Sequence, residues 1–177
     1  MYKTIKTSTL PKFCKRINSI DEINNYFTAN LTNKYNRVRI IGDIHGCYTA
    51  LQQAITPWDE KTLYIFCGDY LERGIENKEM MYEMMRLSTL PNTIMLEGNH
   101  ERHIANFAFN TNLDRSKRFM KDVVAPIVKD MTKKEVESLQ RELRLFYKSL
   151  RQCYPFSFHG KKYLVSHAGL SYVPNMT

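Results

Sequence analysis

Apolar residues fall along this chain in two alternating rhythms. Short β-rich runs, Val38-Arg39-Ile40-Ile41, Leu63-Tyr64-Ile65-Phe66-Cys67 and Thr93-Ile94-Met95-Leu96, predict strands. Each run ends in Gly-Asp or Gly-Asn and gives way to apolar positions at helical intervals, near 48–56, 77–88 and 101–109. Strand alternating with helix predicts an α/β sheet. Met80, Met81, Met84 and Met85 sit at helical spacing within the second of these stretches and read as core packing.

Both flanks differ. Residues 1–36 are polar and basic, with one helical signal: Ser19-Ile20-Asp21-Glu22 has capping-box spacing and leads into Ile23, Phe27 and Leu31. From about 114 to 152 the pattern is helical and strongly charged, and Thr132-Lys133-Lys134-Glu135 offers a second capping box. There Leu139, Leu143, Phe146 and Leu150 share one face, while Arg141, Arg144, Lys148 and Arg151 lie roughly opposite, where water should solvate them. Two further strands are predicted at about 154–159 and 162–166, joined as a hairpin through His159-Gly160-Lys161-Lys162.

Composition narrows the class. The 177 residues are 43% hydrophobic and 12% aromatic, too apolar for a disordered chain. No apolar run approaches the roughly 18 residues that span a bilayer, and the start, MYKTIKTSTLPKF, has no apolar h-region, so the expected location is cytoplasmic. Cys14, Cys47, Cys67 and Cys153 are scattered singly, which argues against a disulfide framework and against a thiolate zinc site; Cys47 and Cys67 read as small buried residues. The net charge of +8 favours phosphate-bearing partners without identifying one, and leaves the oligomeric state open.

Chemistry concentrates at the ends of the β-rich runs: Gly42-Asp43-Ile44-His45-Gly46, Gly68-Asp69, Gly98-Asn99-His100-Glu101 and Ser166-His167-Ala168-Gly169. Loops at the carboxyl ends of strands in an α/β sheet face a common crevice, so these groups should converge. Oxygen and imidazole ligands without thiolate suit a divalent ion such as Mn²⁺, Fe²⁺ or Zn²⁺, and one carboxylate between two ligand sets could bridge two ions. Arg73 offers a planar fork for phosphate oxygens, and His100 a proton donor. Such a set suits phosphoester hydrolysis.

In this order, GDIHG at 42–46, GDYLERG at 68–74, GNHE at 98–101 and SHAGL at 166–170 resemble the signature of the calcineurin-like metallophosphoesterases, in particular their serine/threonine protein phosphatase branch with its bacterial and phage relatives, over about residues 38–172. The resemblance implies an α/β fold, a β-sandwich flanked by helices and lacking its C-terminal strands. It divides the chain into an N-terminal extension over 1–36 and a phosphoesterase domain over 37–177 with a helical insert over 110–152. It implies two metal ions, Mn²⁺ foremost with Fe or Zn as alternatives. Asp43 and His45 would hold the first ion, Asp69 the bridge, and Asn99 and His167 the second. His100 becomes the general acid, Glu72 its partner, and Arg73 the phosphate clamp beside Asn99 and His100. The implied mechanism is in-line attack by a metal-bridging hydroxide, with no phosphoenzyme.

Two departures qualify the expectation. Glu72 stands where the family pattern has Asp, one methylene shorter, so a retained but weakened acid is expected. The family pattern also continues past the His-Ala-Gly motif to a further histidine ligand, whereas this chain stops at Thr177, so the second ion should bind less tightly. His103 and His159 read as structural. The implied substrate is protein phosphoserine or phosphothreonine, or a small phosphoester. Rival readings are a diadenosine polyphosphate hydrolase, to which GDIHGCY is also similar, a nucleic-acid-end phosphohydrolase, and a catalytically impaired fragment acting as a binding module.

Overall fold

The computed structural model describes residues 29–169. Three strands, β1 (Arg37–Ile41), β2 (Thr62–Phe66) and β3 (Thr93–Met95), form a parallel sheet in that order, with Ile40 opposite Ile65 and Ile65 opposite Ile94. The crossovers are α1 (Tyr48–Ile55) and α2 (Asn77–Leu87), and α3 (Glu101–Ala108) follows β3. β2 lies centrally and is buried throughout. Because side chains alternate along a strand, its two faces feed two cores: Tyr64 and Phe66 pack among the helices, and Leu63 and Ile65 pack on the opposite side.

That opposite side is covered by an antiparallel hairpin, β4 (Cys153–Phe158) and β5 (Lys161–Ser166), whose Phe156 joins Leu63, Ile65 and Leu96 in the second core. The turn is tighter than the sequence pattern predicts. His159 (φ 46°) and Gly160 (φ 73°) alone form it, a two-residue pair with both φ positive, and Lys161 and Lys162 already belong to β5. Arg151 bridges to Leu96, with its N–H on the Met95 carbonyl at 2.9 Å, which anchors the start of the hairpin beside β3.

The helical signal that begins at Ser19 lies outside the described residues. Its last expected position, Leu31, is not helical: the Leu31 N–H donates to the Ser157 carbonyl and the Ser157 N–H to the Ala29 carbonyl, so residues 29–31 lie along β4 and Leu31 fills the second core. Burial against the hairpin outweighs the helical spacing.

The charged stretch after α3 is broken where one helical region was expected. Residues 113–128 wind through 3₁₀, α and π geometry before α4 (Lys133–Ser149) begins at the Thr132–Glu135 capping box. Pro126, in the first turn after the π segment, has no N–H to give back, which favours the irregular winding. Leu139, Leu143 and Phe146 are buried as expected. The basic face is not simply solvated. Arg144 donates to the Ala108 carbonyl at 2.5 Å and Gln140 to the Phe107 carbonyl at 2.9 Å, closing the open end of α3, and Arg151 lies over the Tyr154 ring. Met80, Met81 and Met84 are fully buried in the main core. Cys67 is half-buried and Cys47, at the N-terminus of α1, is exposed rather than buried because its loop faces solvent. Among the described residues no helix is long and apolar enough to cross a membrane.

Candidate metal centre

The loops after β1, β2, β3 and β5 meet at one end of the sheet, and every candidate residue singled out in the sequence is among them. Asp69 is the hub. Its side chain is almost fully buried, with Oδ2 3.6 Å from His45 Nε2 and Oδ1 3.6 Å from His167 Nε2. Asp43 flanks both, at 3.8 Å from His45 Nε2 and 3.8 Å from His167 Nδ1. Asn99 Oδ1 faces His167 Nε2 at 3.0 Å.

A residue to which the sequence reading gave no role holds these loops together. Glu101, fully buried, accepts the N–H of Gly98 at 2.6 Å, of Asp69 at 2.8 Å and of Tyr70 at 3.0 Å. One carboxylate thus ties the loop after β2 to the loop after β3. Burial pushes its pKa up, against the pull of those N–H groups. The loops touch closely: Gly68 has φ +101°, and a Cβ there would meet Gly98 N at 2.4 Å. His45, Asp69, Glu72 and Arg73 all have positive φ, so four of the candidate residues hold left-handed backbone.

The histidine tautomers test whether these residues fit a cation. His45 Nδ1 lies 3.1 Å from the Leu71 carbonyl and His167 Nδ1 2.8 Å from the Cys67 carbonyl. A carbonyl only accepts, so each Nδ1 carries the proton and each Nε2 keeps its lone pair, the arrangement of a metal-ligating histidine with its second nitrogen anchored. His45 Nε2 is buried and has no hydrogen-bond partner. At His167 the lone pair of Nε2 faces Asn99 Oδ1, acceptor against acceptor, which a cation between them or rotation of the amide would relieve. An orphaned His45 lone pair beside two carboxylates, and a His167 lone pair beside the Asp69 carboxylate and an amide oxygen, fit divalent ions.

His100 and Glu72 stand beside this centre. His100 Nδ1 is 2.5 Å from Glu72 Oε2, so the longer carboxylate reaches its histidine. His100 Nε2 is 3.8 Å from Asp69 Oδ2 and 3.3 Å from the Arg73 guanidinium. His103, the next turn along α3, pairs through Nδ1 with Ser116 Oγ at 2.8 Å and stacks on Phe119.

A model of the calcineurin-like phosphoesterase family matches residues 36–177. The chain belongs to that family. As a family member it is similar to serine/threonine-protein phosphatase 2 of Salmonella typhimurium, 31% identical over 137 residues, which covers 76% of this chain and 59% of the relative. It is 32% identical over 136 residues to the symmetrical bis(5'-nucleosyl)-tetraphosphatase of Baumannia cicadellinicola, covering 74% of this chain and 41% of that protein. A solved serine/threonine phosphatase structure from Saccharomyces cerevisiae is similar with TM-score 0.48 and 22% identity, over 76% of this chain and 38% of the other. The chain therefore spans about half the length of the curated relatives it matches.

Proposed function

We propose that this phosphoesterase-family chain hydrolyses phosphomonoesters, protein phosphoserine and phosphothreonine foremost, using two divalent cations of which Mn²⁺ is the favoured pair. The observation that carries the reading is the division of Asp69: one carboxylate oxygen turns to His45 beside Asp43, the other to His167 beside Asn99. That division supports Asp69 as a bridge, with Asp43 and His45 on one ion and Asn99 and His167 on the other. When bound, such ions supply neutralisation of the phosphoryl oxygens and a lowered pKa for water.

The chain's own residues do the rest. Glu72 accepts the Nδ1 proton of His100 and fixes the ring, so that Nε2, once Arg73 has left it and it has taken a proton from solvent, passes that proton to the leaving alkoxide. Arg73 donates to His100 Nε2 while no phosphate is present, and a phosphoryl group draws the guanidinium to its own oxygens, clearing the nitrogen that must act. Asn99 and His100 border the same phosphate position. The thiols of Cys47 and Cys67 are unpaired, which suits a reducing compartment, and a cytoplasmic location belongs to this reading.

A second reading, cleavage of a dinucleoside tetraphosphate, is favoured by the 32% identity to the symmetrical tetraphosphatase. One experiment separates them. Mn²⁺-dependent turnover of a phosphoserine peptide, diadenosine tetraphosphate and a 3′-phosphorylated oligonucleotide is compared, with Asp69→Asn as control. The proposal requires the phosphopeptide to be the best substrate by kcat/KM and the control to lose activity. A preference for the dinucleotide or the oligonucleotide transfers the assignment to that class, and absence of turnover on all three overturns hydrolysis.

A further inference from the structure

Beside the principal centre lies a second set of ligand-type side chains, Glu72, His100 and His103, offering one carboxylate oxygen and two imidazole nitrogens that all lie within 4.8 Å of one another. We propose that these three residues form a third cation site, selective for a zinc-like ion, whose occupation switches off the proton donor.

The donor chemistry comes first. Two imidazoles and a carboxylate with an open fourth position make a borderline set that suits Zn²⁺ or Co²⁺ better than Mg²⁺ or Ca²⁺. In a tetrahedral zinc site, ligand atoms sit roughly 3.3 Å apart. Here the Glu72–His100 pair is closer at 2.5 Å and the whole set spreads to 4.8 Å at most, so modest side-chain rotations bring the three atoms to that spacing. All three residues are partly exposed, which leaves an ion a route in.

The surroundings of His103 resemble those of a ligand. Nδ1 is held by Ser116 Oγ at 2.8 Å, and that oxygen is itself held by Asn106 Nδ2 at 2.8 Å. With Nδ1 anchored, Nε2 is the nitrogen left to serve an ion. The ring lies 21° from parallel with Phe119, with centroids 5.8 Å apart, which fixes its plane. Burial holds the His103 pKa below its ordinary value.

The consequence follows from sharing. His100 and Glu72 are the proton donor and its orienting carboxylate in the proposed hydrolysis, and an ion on His100 Nδ1 displaces the proton that Glu72 now accepts. The histidine is then tethered away from its position beside Asp69. The switching rests on the proposed hydrolysis; the site itself does not.

Two measurements test these separately. In an Asp69→Asn chain, which disables the principal centre, added Co²⁺ should give the visible absorption of one tetrahedral ion. That signal should disappear in Asp69→Asn/His103→Gln, whose amide keeps the bond to Ser116, and weaken about tenfold in affinity in Asp69→Asn/Ser116→Ala. No tetrahedral signal, or one unmoved by His103→Gln, overturns the site.

In the Mn²⁺-loaded chain with Asp69 intact, Zn²⁺ should inhibit aryl phosphate hydrolysis. His103→Gln should raise the inhibitory zinc concentration at least about tenfold while leaving the zinc-free rate within about twofold. Inhibition equal in both chains would mean displacement of Mn²⁺ from the principal centre and would overturn the switch. A chain that hydrolyses nothing removes the proposed function, while the cobalt result still decides the site.

Discussion

The Glu72 carboxylate sits 2.5 Å from His100 Nδ1, although it is one methylene longer than the aspartate of the family pattern. Its backbone is left-handed (φ 74°), and that turn, with the Glu72 N–H held by Asn77 Oδ1 at 2.8 Å, sets the starting point from which the longer side chain reaches the ring. The expectation of a weakened acid thus meets a geometry in which the pair is made. Glu72→Asp should then lower, not raise, the rate, because the shorter carboxylate stops about 1 Å short, a displacement that costs on the order of 10²-fold. The loss should be larger on alkyl phosphates than on aryl phosphates, whose leaving groups need less protonation. Steady-state kinetics on both ester classes checks this, and an unchanged or faster Glu72→Asp chain refutes it.

Glu101 should be the most costly single carboxylate to remove. Glu101→Ala leaves the N–H groups of Gly98, Asp69 and Tyr70 buried without an acceptor, at about 1–3 kcal/mol each. A loss of at least about 3 kcal/mol in urea unfolding is expected. The pH dependence has a definite sign. A carboxyl whose folded pKa lies above its unfolded value of about 4.5 contributes stability at low pH that is lost as pH rises through the raised pKa. Glu101→Gln should flatten that decline.

Glu83 should behave in the opposite sense. Its carboxylate accepts Nε and a terminal nitrogen of Arg86 at 2.8 Å each and Gln52 Nε2 at 2.9 Å, and the bonds from Arg86 lower its pKa. Stability from this group is present above pH 4.5 and lost as pH falls through the lowered pKa. Arg86 is more than half exposed, so solvent screening limits the contribution to about 1 kcal/mol or less. Thermal melts of Glu83→Gln between pH 3 and 7 should show a smaller acid-side fall in Tm than the unsubstituted chain.

The hairpin turn offers a cleaner backbone test. A Cβ on Gly160 would meet nothing within 4 Å, so Gly160→Ala carries only the left-handed backbone cost, about 1 kcal/mol. His159→Asn, at φ 46°, should be neutral or stabilising by a few tenths of a kcal/mol. Chemical denaturation of both variants gives the two signs.

What could be read from the sequence was whatever local chemistry dictates. Asp43, Asp69, Asn99 and His167 stand out because a polar ligand directly after a β-rich run has few other uses, and the parallel sheet brings such positions to one end. Glu101 does not stand out, because its role consists of accepting three backbone N–H groups from two other loops, and nothing in a linear pattern marks an acceptor for distant main chain. The helix fits Leu31 by spacing, yet pairing with Ser157, more than a hundred positions away, decides its conformation. Arg144 likewise looks like a solvated charge until the carbonyl end of α3 is seen beneath it. The GNHE string did carry one usable signal: an acidic residue opening a helix three positions after a glycine is a natural partner for exposed main-chain N–H groups.

The left-handed residues of the centre have a cost that reaches beyond chemistry. His45, Asp69, Glu72 and Arg73 each forgo roughly 1–2 kcal/mol of ordinary backbone preference, a sum comparable to a sizeable share of the net stability of a small domain. Sequence change that merely relaxed these turns would make a sturdier protein and a poorer site. That cost is concentrated at this end of the sheet, and amide exchange should find it opening before the helical core does.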